Sequence, residues 1–153
     1  MSERDELAAW VISAGGPDCA HRFEVPVEVP GWDEPPWVKV RPLTQREQLE
    51  RESRGVRDEY HLDASGYVDS IVRHYDLAAM TGYDYEHCLI DFCLPRENSD
   101  GEIVPWRKPN DFRAEQLLDG LPPALAQWLN QLIDQVNMRD PASERVLRAV
   151  KKT

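Results

Sequence analysis

The most regular run of positions lies near the end of the chain. Leu121, Leu125, Trp128, Leu129, Leu132, Ile133 and Val136 recur at helical spacing, and Gln127, Asn130, Gln131, Asp134 and Gln135 fill the opposite positions. A period near 3.6 residues predicts an amphipathic helix over Leu121–Val136. Pro122 suits a first helical position, where its missing N–H costs nothing. A stripe this wide is ordinary for a helix that closes a core. Earlier in the chain the period changes. Phe23, Val25, Val27 and Val29 alternate with other residues in Arg22–Val29, and Val38 and Val40 alternate with Lys39 and Arg41 in Trp37–Leu43. Period-two patterning predicts two half-buried strands, joined through the Gly- and Pro-containing stretch Pro30–Pro36. Pro26 places the first strand at an edge or a bulge.

Local chemistry predicts further elements. Ser2 caps a short helix over Ser2–Ala14, with Leu7, Trp10 and Val11 on one face, and Gly15-Gly16-Pro17 ends it. Thr44-Gln45-Arg46-Glu47 is a capping box that opens a largely polar helix running to Gly55. A further helix is expected from about Asp63, with Tyr67, Val68, Ile71, Val72 and Tyr75 on one face. Gly82 is expected to break the segment after Leu77, and His87–Leu94 fits either a buried helix or a strand. Residues 95–109 read as a loop with a tight turn at Asp100-Gly101. Asn110 or Asp111 caps a short helix through Leu118 that Gly120 ends. After Asp140-Pro141 a last helix holds Val146, Leu147 and Val150.

The expected fold is therefore α+β and predominantly α-helical, with an N-terminal β-hairpin (about 22–43) packed on a helical body. One domain covers 1–153, divided into an N-terminal helix and linker (1–20), the hairpin (22–43), the helical body (44–138, with its loop at 95–109) and a C-terminal helix (141–153). At 153 residues the chain is long enough to bury a core without staples.

Charge narrows the partners. With 28 acidic against 18 basic residues, the net charge is −10, which repels nucleic acid and anionic membranes and suits a basic or apolar partner. The local exception, Arg145, Arg148, Lys151 and Lys152, reads as a solvated last helical turn near the negative end of its dipole. Three cysteines give no disulfide framework. MSERDELAAWVISAGG is charged from the start and lacks the pattern of a signal peptide. No apolar run approaches a membrane span, so a reducing cytoplasm is the expected location.

Chemistry finds little to build on. Zinc would draw on Cys19, His21, His87, Cys88 and Cys93, but the C-x-H and C-x4-C spacings do not match structural knuckles. Cys88 and Cys93 sit among Leu89, Ile90, Phe92 and Leu94, where a thiol behaves as a small hydrophobe. No metal or other cofactor is expected. Calcium fares no better at Asn98–Ile103, because that register puts Arg96 and Arg107 where carboxylates are needed. No nucleophile elbow or Gly-rich phosphate loop is present, and His61 and His74 have no obvious nucleophile beside them. A non-enzymatic protein is the expectation. Five tryptophans are many for this length. Of these, Trp32, Trp37, Trp106 and Trp128 are the candidate protein-binding residues, since exposed aromatics commonly anchor interfaces.

Two segments carry a resemblance. Val38–Thr44 reads VKVRPLT and feeds a capped helix; Phe112–Pro122 reads FRAEQLLDGLP and feeds the long helix ending in Asn130–Asn137, NQLIDQVN. This order resembles the tail assembly chaperones of long-tailed bacteriophages and related prophages, over about Phe23 to Asn137. The resemblance implies a non-enzymatic chaperone in the bacterial host cytoplasm. Such a protein binds the tape measure protein, keeps it soluble and passes it to the tail tube protein, with self-association as a further expectation. Neither nucleic acid nor a membrane is among the expected partners. The alternative is a structural component of the virion tail or baseplate with the same small α+β fold.

Overall fold

A computed structural model describes residues 20–139. The helices expected at Ser2–Ala14 and 141–153, together with Cys19, lie outside the described residues. Six antiparallel strands form two separate sheets. The larger has the order β1 (His21–Glu24), β2 (Trp37–Val40), β5 (Leu89–Glu97), β6 (Ile103–Arg107). The smaller is a two-stranded arm of β3 (Val56–Leu62) and β4 (Val68–Tyr75). Helices α1 (Gln45–Gly55), α2 (Leu77–His87), α3 (Ala114–Gly120) and α4 (Pro123–Val136) complete the described chain.

The mainly helical body is thereby corrected: 36% of the described residues are helical and 31% are in strands. The N-terminal hairpin exists, but it is one half of a larger sheet. Val38 stands opposite Phe92 and Trp37 opposite Cys93, so β5 continues the ladder. The hairpin strands are shorter than their alternation predicts. The ladder of β1 stops at Glu24, two residues short of Pro26, which lacks the N–H that a ladder needs.

One expected helix is a strand instead. Tyr67–Tyr75 satisfies a helical face by spacing, yet it is β4. Its residues VDSIVRHY are rich in β-branched types. Asp63, the expected start of that helix, instead closes a hairpin turn: its Oδ1 accepts from Ser65 N at 2.8 Å and Tyr67 N at 3.0 Å. Gly66 there takes φ +84°, a conformation that favours glycine. Conversely, Gly82 does not break α2. It is buried inside the helix where α3 packs, and a Cβ there would meet Leu118 Cδ1 at 3.4 Å and Ala114 Cβ at 3.7 Å, ordinary contact distances. The stretch 95–109 is the end of β5, a turn and β6. Asn98 Oδ1 accepts from Asp100 N and Glu102 N at 3.0 and 2.9 Å, and Gly101 takes φ +81°.

The capping box is present as read. Thr44 Oγ1 accepts from Glu47 N, and Glu47 Oε1 accepts from Thr44 N at 2.9 Å. The same carboxylate receives Arg41 through two bonds of 2.8 and 2.7 Å, which ties the end of the sheet strand to the start of α1. Helix α4 begins two residues later than its pattern suggests, with Pro122 as cap and Pro123 as first residue. Leu129 and Ile133 are fully buried against Val38, Val40, Phe92 and Leu117, with Leu125, Trp128, Leu132 and Val136 packed around them. The stripe closes the core. At the far end Asn137 donates to Ile133 O (2.8 Å) and accepts from Leu43 N (2.7 Å), fixing α4 to the strand side of the molecule.

A buried carboxylate joins the helices. Asp84 on α2 receives Arg139 bidentately at 2.8 and 3.0 Å, and Arg51 of α1 lies 3.0 Å away. Arg139 also donates to Gln48 Oε1 at 2.8 Å. All three charged side chains are about nine-tenths buried or more. Removing one partner leaves buried charge uncompensated, which costs about 3–5 kcal/mol. Asp84→Ala is therefore expected to lower unfolding free energy by about that amount in urea titration. A second expectation concerns acid. The hydrogen bonds from Arg41 hold the Glu47 carboxyl at about 2, below its ordinary value of 4.5. A depressed carboxyl contributes stability that is complete above the unfolded value and is lost as pH falls through the folded one. Thermal melts of Glu47→Gln are expected to show lower stability at neutral pH, with a smaller further loss than the parent chain between pH 4.5 and 2.

Candidate functional site

The five residues considered for zinc do not converge. Cys19 lies outside the described residues. His21 is exposed at the start of β1. His87 stacks on Tyr83 with ring centroids 3.9 Å apart, its Nδ1 3.0 Å from Tyr83 O. Cys88 is buried in the core, where Asn137 Nδ2 lies 3.6 Å from its sulfur. Burial pushes the Cys88 thiol up to about 12, which disfavours the thiolate that a metal or an electrophile requires. Cys93 pairs with Trp37, one position along from core-facing Phe92, and so points to the other side of the sheet. Among the described residues no group of three or more His, Cys, Asp or Glu side chains is placed to hold a metal ion.

The four tryptophans are spread over different parts of the molecule. Trp32 is half-buried in the loop before β2, in a shallow cleft with Glu28, Asp33 and Glu34. Trp37 lies between two guanidiniums, Arg22 at 4.1 Å and Arg107 at 5.0 Å from its ring centroid, a cation–π arrangement. Trp106 is adjacent in the ladder to Arg107, the residue whose partner is Cys93, and so occupies the opposite sheet face from Trp37. There it tilts against Phe92 at 5.0 Å, with Arg96 over its ring at 5.1 Å. Trp128 is partly buried on α4 and packs against the core.

Trp106 borders an open groove of about 560 Å³ where the β5–β6 hairpin meets the junction of α3 and α4. Leu94, Leu117, Leu121 and Leu125 line it, and Arg96, Glu97 and Gln116 supply polar groups. The sequence offers each part separately: β6 is an edge strand, and Gly120-Leu121-Pro122 turns the chain between two short helices. Nothing in the sequence alone brings Leu94 beside Leu121.

A second apolar surface sits on the arm. Tyr60, Leu62, Tyr67, Val68 and Ile71 are all more than half exposed. Their aromatic and β-branched types were visible, but the helical reading of Tyr67–Tyr75 concealed the ladder that gathers them. The signal that could have found it is the Asp63–Gly66 turn between two runs of strand-forming residues. Arg73 pairs with Asp58 at 2.8 Å and His74 lies 2.8 Å from Glu59, both across the two strands.

Among the described residues, no helix is long and apolar enough to cross a membrane. No protein-family model, curated protein or solved structure matches the chain.

Thiol labelling provides a check on this arrangement. In the native chain Cys88 is expected to resist a disulfide exchange reagent and to react only on unfolding, read by mass spectrometry of the labelled peptides.

Proposed function

We propose that this chain is a non-enzymatic protein-binding protein, and specifically a phage tail assembly chaperone that holds the tape measure protein in soluble form. The observation that carries the reading is the Trp106 groove. It is lined by leucines and Trp106 together with Arg96, Glu97 and Gln116, and it is open to solvent. A groove of that character accepts a row of apolar side chains from an amphipathic helix. A tape measure protein is long and helical, and before assembly it exposes such rows. The net charge of −10 adds a second support, because a strongly charged companion keeps an apolar client from aggregating. The order of VKVRPLT before α1 and FRAEQLLDGLP before α4 supplies the family likeness.

The test is co-expression with a tape measure protein of a long-tailed phage, followed by pull-down and a solubility assay. Co-purification and a larger soluble fraction of the client are expected. Trp106→Ala is expected to weaken capture about tenfold or more, as loss of a central aromatic anchor does, with the circular dichroism spectrum retained. If the two proteins stay apart and the client is no more soluble, the reading is wrong. If the chain is found in fixed copy number in purified particles, it is a structural virion component instead.

A further inference from the structure

We infer that the β3–β4 arm is a self-association surface, on which two copies of this chain stack their arms face to face about a two-fold axis running along the arm. Residues opposite one another in an antiparallel ladder share a face, and successive residues alternate. One face of the arm therefore carries Tyr60 with Ile71 and Asp58 with Arg73, and beyond a register shift between His61 and Leu62 the tip pairs Leu62 with Val68. The reverse face carries Arg57 with His74, Glu59 with Val72 and His61 with Ser70. The arm is amphipathic, and its apolar side is open: Tyr60, Leu62, Val68 and Ile71 are 59, 62, 55 and 57% exposed.

A two-stranded ribbon is marginal in water unless something covers its apolar side. Four such side chains make a patch on the order of 400 Å², within the range of the largest apolar patch on a monomer, which is often functional. The charge pattern selects a second copy as the occupant. An axis along the arm lays β3 of one copy over β4 of the other. Tyr60 then meets Ile71 of the second copy, and Leu62 meets its Val68. Asp58 meets Arg73 of the second copy, and Arg73 meets its Asp58, so opposite charges face each other twice. An isologous contact of this kind needs a patch that is complementary to itself. The Asp58–Arg73 pair, already joined at 2.8 Å within each arm, meets that condition. The contact shares no residue with the Trp106 groove, so its failure leaves the tape measure reading standing.

The experiment is sedimentation velocity on the purified full-length chain. Two patches of this size make a small interface, so dimers are expected at concentrations on the order of 100 µM. Ile71→Asp is expected to weaken the dimer about tenfold or more, with an unchanged thermal melt because the side chain is exposed. The decisive arm uses Asp58→Arg and Arg73→Asp as separate proteins. Each alone sets like charges across the axis and is expected to stay monomeric. An equimolar mixture restores both contacts in the heterodimer and is expected to associate about tenfold or more tightly than either variant alone. A parent chain that is monomeric throughout, a dimer indifferent to Ile71→Asp, or a mixture no tighter than its components would each overturn the proposal. An arm that serves only a foreign partner gives the first of these results.

Discussion

The helices that carry the projecting arm are held together around a carboxylate that is almost fully buried. Asp84 sits in the middle of α2 and is held by Arg139 from the end of the described chain and by Arg51 from α1. An isolated carboxylate at that depth would be strongly unfavourable, and the two guanidiniums are what make it tolerable. They also fix geometry. Arg139 follows the last turn of α4, so its bidentate bond sets the exit of that helix against α2, and its bond to Gln48 extends the hold to α1. Since α1 runs directly into β3 and β4 is followed at once by α2, the same network fixes the root of the arm.

The root has its own constraint. Asp76 N donates to Gly55 O at 2.7 Å, closing the chain where the arm leaves and returns. A Cβ at Gly55 would run into Met80 Cγ, so the helix end and α2 meet at contact distance only because that position is glycine. From this narrow base the ribbon extends away from the core with both faces wet. The stable and exposed parts of the molecule are thus built from different materials. The sheet and α4 bury Phe92, Leu94, Leu129 and Ile133; the arm relies on its backbone ladder and on the cross-strand pairs of Asp58 with Arg73 and Glu59 with His74.

The functional surfaces were less legible than the fold. Trp106 was identifiable as a candidate from residue type alone, but its groove is made by Leu94 from β5 and Leu121 and Leu125 from the α3–α4 junction. Trp37 lies within cation–π reach of two arginines, and Trp128 packs against the core. On the arm the sequence supplied the right residues with the wrong period. Tyr67, Val68, Ile71, Val72 and Tyr75 fit a helical face and a strand about equally by spacing. Only pairing with Val56–Leu62 distinguishes the two.

By itself the sequence determined what neighbours within a few positions can settle. Thr44 and Glu47 make a capping box, Asp100-Gly101 makes a turn, and the stripe from Leu125 to Val136 makes a core-closing helix, because each involves groups close together along the chain. The tertiary structure alone decided that β2 pairs with β5, that Gly82 lies within a helix, and that Asp84 is clamped by Arg51 of α1 and Arg139 at the end of the described chain. Those outcomes depend on which distant segments can share a ladder, fill a core or neutralise a buried charge. Such choices follow from packing the whole chain, and no local period encodes them.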